Sequence, residues 1–97
     1  MACIVIVTTT KPSDKVWNHH TLANQHDHYR IWLERFPGFI NKSGREIDPN
    51  TWENTFVFDS RESWNRFIAE KADLSWWKDM VKYNAENGIS STTTFID

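Results

Sequence analysis

The sequence predicts an α+β domain, a ferredoxin-like βαββαβ sandwich whose antiparallel sheet has the strand order 4-1-3-2. Two observations carry this prediction. Four runs rich in β-branched or aromatic residues alternate with stretches whose apolar residues recur at helical spacing. Two βαβ units with right-handed crossovers, joined by one hairpin, then give that strand order. Because 97 residues suffice for one domain, residues 1–97 are taken as a single ferredoxin-like domain.

The first half of the chain supplies strand 1 and a long helix. Strand 1 is predicted over residues 2–9, where β-branched residues dominate and Pro12 soon follows. The helix is predicted to begin at Ser13 or Asp14, whose side-chain oxygens can cap free amides, and to end at Phe36 before a Pro-Gly pair. Its apolar stripe has four-three-four-three spacing and consists of Leu22, His26, Tyr29, Leu33 and Phe36.

A hairpin of two strands is predicted next. Strand 2 covers residues 39–47, and Gly44 is a candidate position for a bulge. A turn at residues 48–50 leads to strand 3 over residues 51–58. Strands 1 and 3 carry most of the strand hydrophobicity, so we expect them at the centre of the sheet. The more polar strands 2 and 4 are expected at its edges.

The second half contains a broken helix and the last strand. Asp59 and Glu62 resemble a capping box at the helix start. The helix is predicted to restart at Asp73 and to end at Gly88, before strand 4 over residues 89–96. The first inner stripe comprises Trp64, Phe67, Ile68 and Lys71. The second inner stripe comprises Leu74, Trp77, Val81 and Asn84. A further stripe, expected to contact another subunit or a neighbouring loop, comprises Trp76, Met80 and Tyr83.

Composition and charge narrow the function classes. The net charge is -2 and the basic residues form no cluster, so no nucleic-acid partner is expected. No apolar stretch approaches the roughly 20 residues that span a bilayer, so no membrane partner is expected. The single cysteine, Cys3, cannot form an internal disulfide, which is typical of a reducing compartment. We therefore expect a cytoplasmic protein.

Strand 1 also predicts self-association. A sheet with helices on one face and water on the other should alternate between apolar and polar residues. Residues 3–7 are instead apolar on both faces. Something must cover the second face, and the simplest cover is the same sheet of another copy. We therefore expect a homodimer formed through the sheet face.

Three local runs resemble the dimeric α+β barrel superfamily, in its antibiotic-biosynthesis-monooxygenase-like branch. They are the helix end Phe-Pro-Gly-Phe at 36–39, the strand-to-helix run Phe-Val-Phe-Asp-Ser-Arg-Glu at 56–62, and Tyr-Asn-Ala-Glu-Asn-Gly-Ile at 83–89. The resemblance implies a barrel built from two sheets, with a pocket between sheet and helices in each subunit. It does not imply one reaction, because fold and function separate readily.

A histidine within the apolar stripe suggests a site for chemistry. Burial of His26 would lower its pKa and leave a neutral imidazole able to act as a base. The alternative is a core histidine whose nitrogens are satisfied by neighbouring polar groups. Aromatic side chains around it would suit a planar aromatic ligand. The predicted substrate-pocket residues are His19, Tyr29, Trp32, Trp52 and Asn54.

A metal site is not expected, and neither is a cofactor. No two of the four histidines, His19, His20, His26 and His28, have the three- or four-residue separation that converges two rings on one ion. Haem-degrading relatives carry their ligand histidine in the second half of the chain, where this sequence has none. Two functions stay open. One is a cofactor-independent monooxygenase-like enzyme acting on a small aromatic or polyketide-like molecule. The other is a non-catalytic dimer that binds a small ligand or a protein.

Overall fold

The computed structural model describes residues 2–17 and 27–96, with only the backbone for residues 27–30. Seven elements follow one another along these residues. They are β1 (Cys3–Thr10), α1 (Asp27–Glu34), β2 (Phe39–Asp48), β3 (Thr51–Phe58), α2 (Arg61–Lys71), α3 (Ser75–Glu86) and β4 (Ser90–Ile96). The order is that of an α+β domain, and it confirms the predicted fold class.

The four strands form one antiparallel sheet of order β2-β3-β1-β4. Read from the opposite edge this is the predicted order 4-1-3-2. Val5 of β1 pairs with Phe56 on one side and with Phe95 on the other, so β1 is a central strand. The strands that carry most β-branched and aromatic residues are therefore the ones with neighbours on both sides, where burial stabilises them most.

The core lies between the helices and one face of the sheet. Val5, Phe58 and Phe67 are fully buried there, and the rings of Phe58 and Phe67 lie 5.2 Å apart. Large aromatic side chains bury much apolar area with few residues, which suits a domain of this size. In the described residues no helix is long and apolar enough to cross a membrane.

The start of the first helix is not where the sequence predicts it. Residues 13–17 form a turn rather than a helix. The amide of Lys15 donates to the carbonyl of Pro12 at 3.1 Å, and the Nζ of Lys11 donates to the carbonyl of Lys15 at 2.8 Å. The oxygens of Ser13 and Asp14 therefore cap no helix here. The remaining part of the predicted helix before Asp27 lies outside the described residues.

The cap of α2 lies one residue later than the predicted one. Ser60 is extended, with φ −157° and ψ 163°, and its hydroxyl accepts the Ser63 amide at 3.1 Å. Asp59 instead accepts a hydrogen bond from the Ser63 hydroxyl. The predicted box of Asp59 and Glu62 is wrong because the helix begins at Arg61 and leaves Asp59 one position too early.

Other local predictions are refined. The sheet irregularities lie between Phe39 and Asn41 and between Glu46 and Asp48, not at Gly44. The Tyr83 hydroxyl donates to the carbonyl of Val16 at 2.9 Å, which is the expected contact of that stripe with a neighbouring loop. Gly88 ends α3 with a φ of 69°, the left-handed conformation that glycine tolerates.

Candidate functional site

A cleft of about 410 Å³ opens between the sheet and the last two helices. Strands β1 and β4 form its floor, and α2 and α3 form its walls. Its described lining is mainly apolar and aromatic, and its polar side chains are those of Lys71, Asn84, Ser91 and Thr93. The lining residues that matter chemically are Val7, Trp64, Lys71, Trp77, Met80 and Asn84.

The cleft forms because α2 buries side chains against the sheet, whereas α3 buries none. Trp64, Phe67 and Lys71 are all buried, because their three- and four-residue spacing directs them from α2 toward the sheet. No residue of α3 is buried. Its side chains Trp77, Met80 and Val81 line the cleft, whereas Trp76 packs against the core.

Lys71 is the most unusual side chain of this region. It is 5% exposed, although it carries an amine at the end of α2. Its Nζ lies 3.9 Å from the centroid of the Trp77 ring and 4.6 Å from that of Phe67. Among the described residues no carboxylate and no hydrogen-bond acceptor contacts it. Charged groups this deeply buried are usually paired.

Burial and a second lysine weaken the ammonium form of Lys71. Desolvation, followed by repulsion from Lys42, lowers the pKa of Lys71 from 10.5 to about 7. The pKa of Lys42 is itself lowered by burial. Each of the two Nζ atoms lies near the ring of Phe56, Lys71 at 5.9 Å and Lys42 at 5.8 Å.

The rings around Lys71 act in the opposite direction, because cation–π contacts stabilise the ammonium. Each desolvated contact contributes roughly 0.5–2 kcal/mol. The lowering of the pKa from 10.5 to about 7 corresponds to about 5 kcal/mol against the charged form. That loss exceeds the sum from the two nearest rings, of Trp77 and Phe67. At a pKa of about 7, roughly half of the Lys71 amine is neutral at pH 7, and the cation–π contacts shift this balance toward the ammonium.

Asn84 supplies a further polar group of the cleft. Its Oδ1 is buried and has no hydrogen-bond partner among the described residues. A buried oxygen left without a donor costs about 1–3 kcal/mol of stability. Asn84 therefore brings an unsatisfied acceptor to the wall of the cleft, in addition to the partly neutral amine of Lys71.

Two of the predicted pocket residues meet each other outside the lining of this cleft, although Asn54 is the cross-strand partner of Val7. The Nε1 of Trp52 donates to the Oδ1 of Asn54 at 2.9 Å on β3. Trp32 lies elsewhere, against the core, with its ring 5.5 Å from that of Phe67. None of these three residues lines the cleft that holds Lys71.

The remaining predicted residues are only partly described. His19 and His26 lie outside the described residues. Tyr29 lies in α1, and its side chain is likewise outside them. Their roles stay predictions. In the described part of the chain no three His, Cys, Asp or Glu side chains gather in a group that can hold a metal ion.

Sequence reasoning missed two polar residues that the cleft brings together. Lys71 and Asn84 are the last residues of the two inner stripes predicted for these helices. Each is a polar residue at a position where the stripe predicts an apolar one. That mismatch was the available signal. The depth of burial and the approach of Lys42 from β2 depend on tertiary packing, which no local pattern reveals.

Comparison with solved structures finds proteins of the same fold. A dimeric ferredoxin-like protein from an uncultured marine organism matches with a TM-score of 0.68 and 16% identity, covering 99% of this chain and 94% of the other. SnoaB, a cofactor-independent oxygenase from Streptomyces nogalater, matches with a TM-score of 0.64 and 13% identity, over 99% and 91% of the two chains.

A third solved structure holds a ligand. The monooxygenase from the gene ActVA-Orf6 of Streptomyces coelicolor, in complex with nanaomycin D, matches with a TM-score of 0.61 and 14% identity, over 96% and 84% of the two chains. No protein-family model and no curated protein sequence matches this chain. The structural matches confirm the resemblance to antibiotic-biosynthesis-monooxygenase-like proteins of ferredoxin-like fold. At these identities they show the fold alone.

Proposed function

We propose that the cleft binds a small planar aromatic or polyketide-like molecule, and that the protein acts on it as a cofactor-independent, monooxygenase-like enzyme. The observation that carries this proposal is a buried amine with a lowered pKa, that of Lys71, in an aromatic cleft of about 410 Å³. The likeness in fold to a cofactor-independent oxygenase and to a monooxygenase that binds nanaomycin D supports the same reaction class.

The chemistry requires a base, a dry site and molecular oxygen. A neutral base removes a proton from an acidic C–H bond of the ligand, and the resulting carbanion transfers electrons to dioxygen. Lys71 can accept that proton, and its ammonium form can then stabilise the anion. His26 is the second proposed base, from its place in the apolar stripe of the predicted first helix. The rings of Trp64 and Trp77 would exclude water from the reacting centre.

Anthrone is a suitable probe for this proposal, since it is planar and its methylene group is acidic. Oxidation converts the methylene to a carbonyl while dioxygen is consumed and water is released. We expect the protein to accelerate both dioxygen uptake and anthraquinone formation over buffer. Lys71→Met should remove the acceleration, whereas the exposed-residue control Lys78→Met should retain it. Binding of anthrone without any acceleration would contradict the enzyme proposal.

Binding of anthrone without acceleration is the result expected of the second candidate function, a non-catalytic dimer that binds a small ligand or a protein. One observation favours it. Among the described lining residues of the cleft, Lys71 is the only ionisable one. Catalysis by acid and base commonly uses more than one such group, whereas binding needs none. The dioxygen measurement separates the two candidates.

We also propose that the chain forms a homodimer through the open face of its sheet. On this face Ile4 pairs with Val57 and Ile96 in neighbouring strands, and Ile6 lies two residues further along β1. Ile96 is 51% exposed. An apolar row of this kind on an open sheet face is typical of a surface covered by a partner. The likeness to a dimeric ferredoxin-like protein supports this assembly. A cytoplasmic location, where Cys3 would stay reduced, remains part of the proposal.

A further inference from the structure

We infer that Lys71 is a nucleophilic lysine that captures an aromatic aldehyde or ketone in the cleft as a reversible imine. This inference rests on the proposed function in one respect, that an aromatic ligand binds in the cleft. It does not require the proposed reaction with dioxygen. The captured ligands are carbonyl compounds, which would bind covalently to Lys71. The same side chain lines the cleft and can also contact a ligand that binds without a covalent bond.

The surroundings of Lys71 are those that activate an amine. Its side chain is buried, the rings of Trp77 and Phe67 surround its Nζ, and no carboxylate among the described residues holds it as an ammonium. A lysine becomes a nucleophile when an apolar pocket desolvates it or a second cation lies beside it. Lys71 meets both conditions, because Lys42 is the neighbouring cation.

Asn84 fits the same chemistry. In imine formation the amine nitrogen attacks the carbonyl carbon, and the carbonyl oxygen becomes the hydroxyl of a carbinolamine. Loss of that hydroxyl as water, with the proton from nitrogen, completes the C=N bond, so no oxidant or reductant is needed. The buried Oδ1 of Asn84, which has no partner among the described residues, lines the same cleft and can accept a hydrogen bond from the carbinolamine hydroxyl.

Formation of the imine would also assist the proton removal that the proposed function requires. Once protonated, a C=N bond withdraws electrons from the adjacent carbon more strongly than the parent carbonyl does. In a ketone that has a C–H bond on the adjacent carbon, this bond therefore loses its proton more readily to a second base. Lys71 would in that case activate the ligand covalently and would not itself remove the proton.

The test is reductive trapping at neutral pH. The full chain is incubated with naphthaldehyde and sodium cyanoborohydride, which reduces the imine to a stable amine, and the adduct is mapped by peptide mass spectrometry. At pH 7 the neutral fraction of Lys71 exceeds that of an ordinary lysine by roughly a thousandfold, offset in part by its weaker nucleophilicity. We expect trapping at Lys71 to be about tenfold or more faster than at Lys78 or Lys82.

Variants and pH give two further measurements. Lys71→Met should lose the adduct while remaining folded by circular dichroism, and Lys78→Met should keep it. The ratio of the trapping rate at Lys71 to that at Lys78 should fall as the pH rises above 7, because the amine of Lys71 has a lowered pKa whereas ordinary lysine amines lose their protons only at alkaline pH. Labelling spread over the exposed lysines, or a Lys71 rate that rises only at alkaline pH, would overturn the inference.

A probe without a carbonyl distinguishes this inference from the proposed function. Naphthalenemethanol has the same ring system but cannot form an imine. Its binding is followed by quenching of tryptophan fluorescence, since Trp64 and Trp77 line the cleft. Binding of naphthalenemethanol without capture of naphthaldehyde at Lys71 would overturn the imine alone. Failure of both probes would overturn the imine and the aromatic-ligand site together.

Discussion

The Nζ of Lys71 lies 3.9 Å from the centroid of the Trp77 ring, so the amine at the end of α2 is held beneath an indole of α3. The two residues belong to helices separated only by residues 72–74. This geometry places a titratable group in the apolar wall of a cleft. The cost of burying its charge should therefore be visible in the stability of the whole domain.

The first prediction is a pH-dependent stability to which Lys71 contributes most, with a contribution of the same sign from the partly buried Lys42. Its pKa is about 7 in the folded state and 10.5 as the model value for an exposed chain. Between these values the unfolded chain binds more protons, so the free energy of unfolding rises as the pH increases from 7 toward 10.5. The full rise is about 5 kcal/mol at most, and the cation–π contacts of the ammonium reduce it.

Urea denaturation of the wild type and of Lys71→Met across this range measures the effect. The wild type should gain stability relative to the variant as the pH rises, and at pH 7 the variant should be the more stable protein. Lys78→Met, on the exposed side of α3, serves as the control and should show a pH-independent difference. A constant difference for Lys71→Met would mean that its amine is solvated.

The second prediction concerns the polar pair on β3. A Cβ at Gly44 would lie 2.7 Å from the Oδ1 of Asn54 and 3.0 Å from the Nε1 of Trp52. Gly44→Ala should therefore break the hydrogen bond between Trp52 and Asn54. The lost bond and the crowding, offset in part by the lower backbone entropy of unfolded alanine, should cost about 1–2 kcal/mol.

Chemical denaturation gives this cost, and near-ultraviolet circular dichroism reports the altered indole. Ser43→Ala is the matched control, since Ser43 is exposed in the same strand, and it should change stability by less than about 0.5 kcal/mol. A Gly44→Ala variant as stable as this control would show that the sheet adjusts to the added methyl group.

The fold could be predicted because its signals are local. The alternation of side chains predicts strand 3 over 51–58, and β3 is Thr51–Phe58. The high hydrophobicity of the first strand predicts a central position, and β1 has neighbours on both sides. In each of these elements propensity and hydrophobic pattern favour the same structure, which makes the prediction robust.

The polar groups of the cleft could not be predicted in the same way. Whether Lys71 ends in water or beneath Trp77 depends on how far α3 stands from the sheet. Whether a second positive charge repels the ammonium of Lys71 depends on Lys42, which is distant in sequence and approaches from β2. The cap at Ser60 was not predicted because Asp59 and Ser60 are both good capping residues. Only the backbone conformation at the helix start selects between them.

The third prediction tests the homodimer. Val5 is fully buried under the helices, whereas Ile6 belongs to the opposite face of the sheet. Ile6→Lys should therefore separate the subunits while the domain stays folded, because a buried unpaired charge at an interface is costly. Val5→Lys should instead unfold the domain.

Light scattering at micromolar concentration measures the mass directly. The wild type should give about twice the chain mass of 11.5 kDa, and Ile6→Lys should give the single-chain mass. Val16→Lys is the control, since Val16 is 71% exposed in the loop after β1, and it should remain dimeric. A wild type that is monomeric, with no binding of a dye for exposed apolar surface, would contradict the sheet-to-sheet assembly.

The last prediction separates the two proposed bases, and it concerns His26. If His26 removes the proton, His26→Ala and His26→Phe should both abolish anthrone oxidation, with little loss of thermal stability and with naphthaldehyde still trapped at Lys71. If His26 is a satisfied core residue, both variants should lose about 1–3 kcal/mol of stability, because a partner loses its hydrogen bond. Oxidation per folded molecule would then be unchanged.

The control for this experiment is His28→Ala, expected to be neutral because His28 points away from the predicted apolar stripe. Thermal melts report the stability of all three variants, and dioxygen uptake reports the reaction. Lys71→Met measured beside them completes the comparison. Loss of oxidation in Lys71→Met alone would assign the base or the activating imine to Lys71. Loss in both Lys71→Met and the His26 variants would require two groups, the amine to activate the ligand and the imidazole to take its proton.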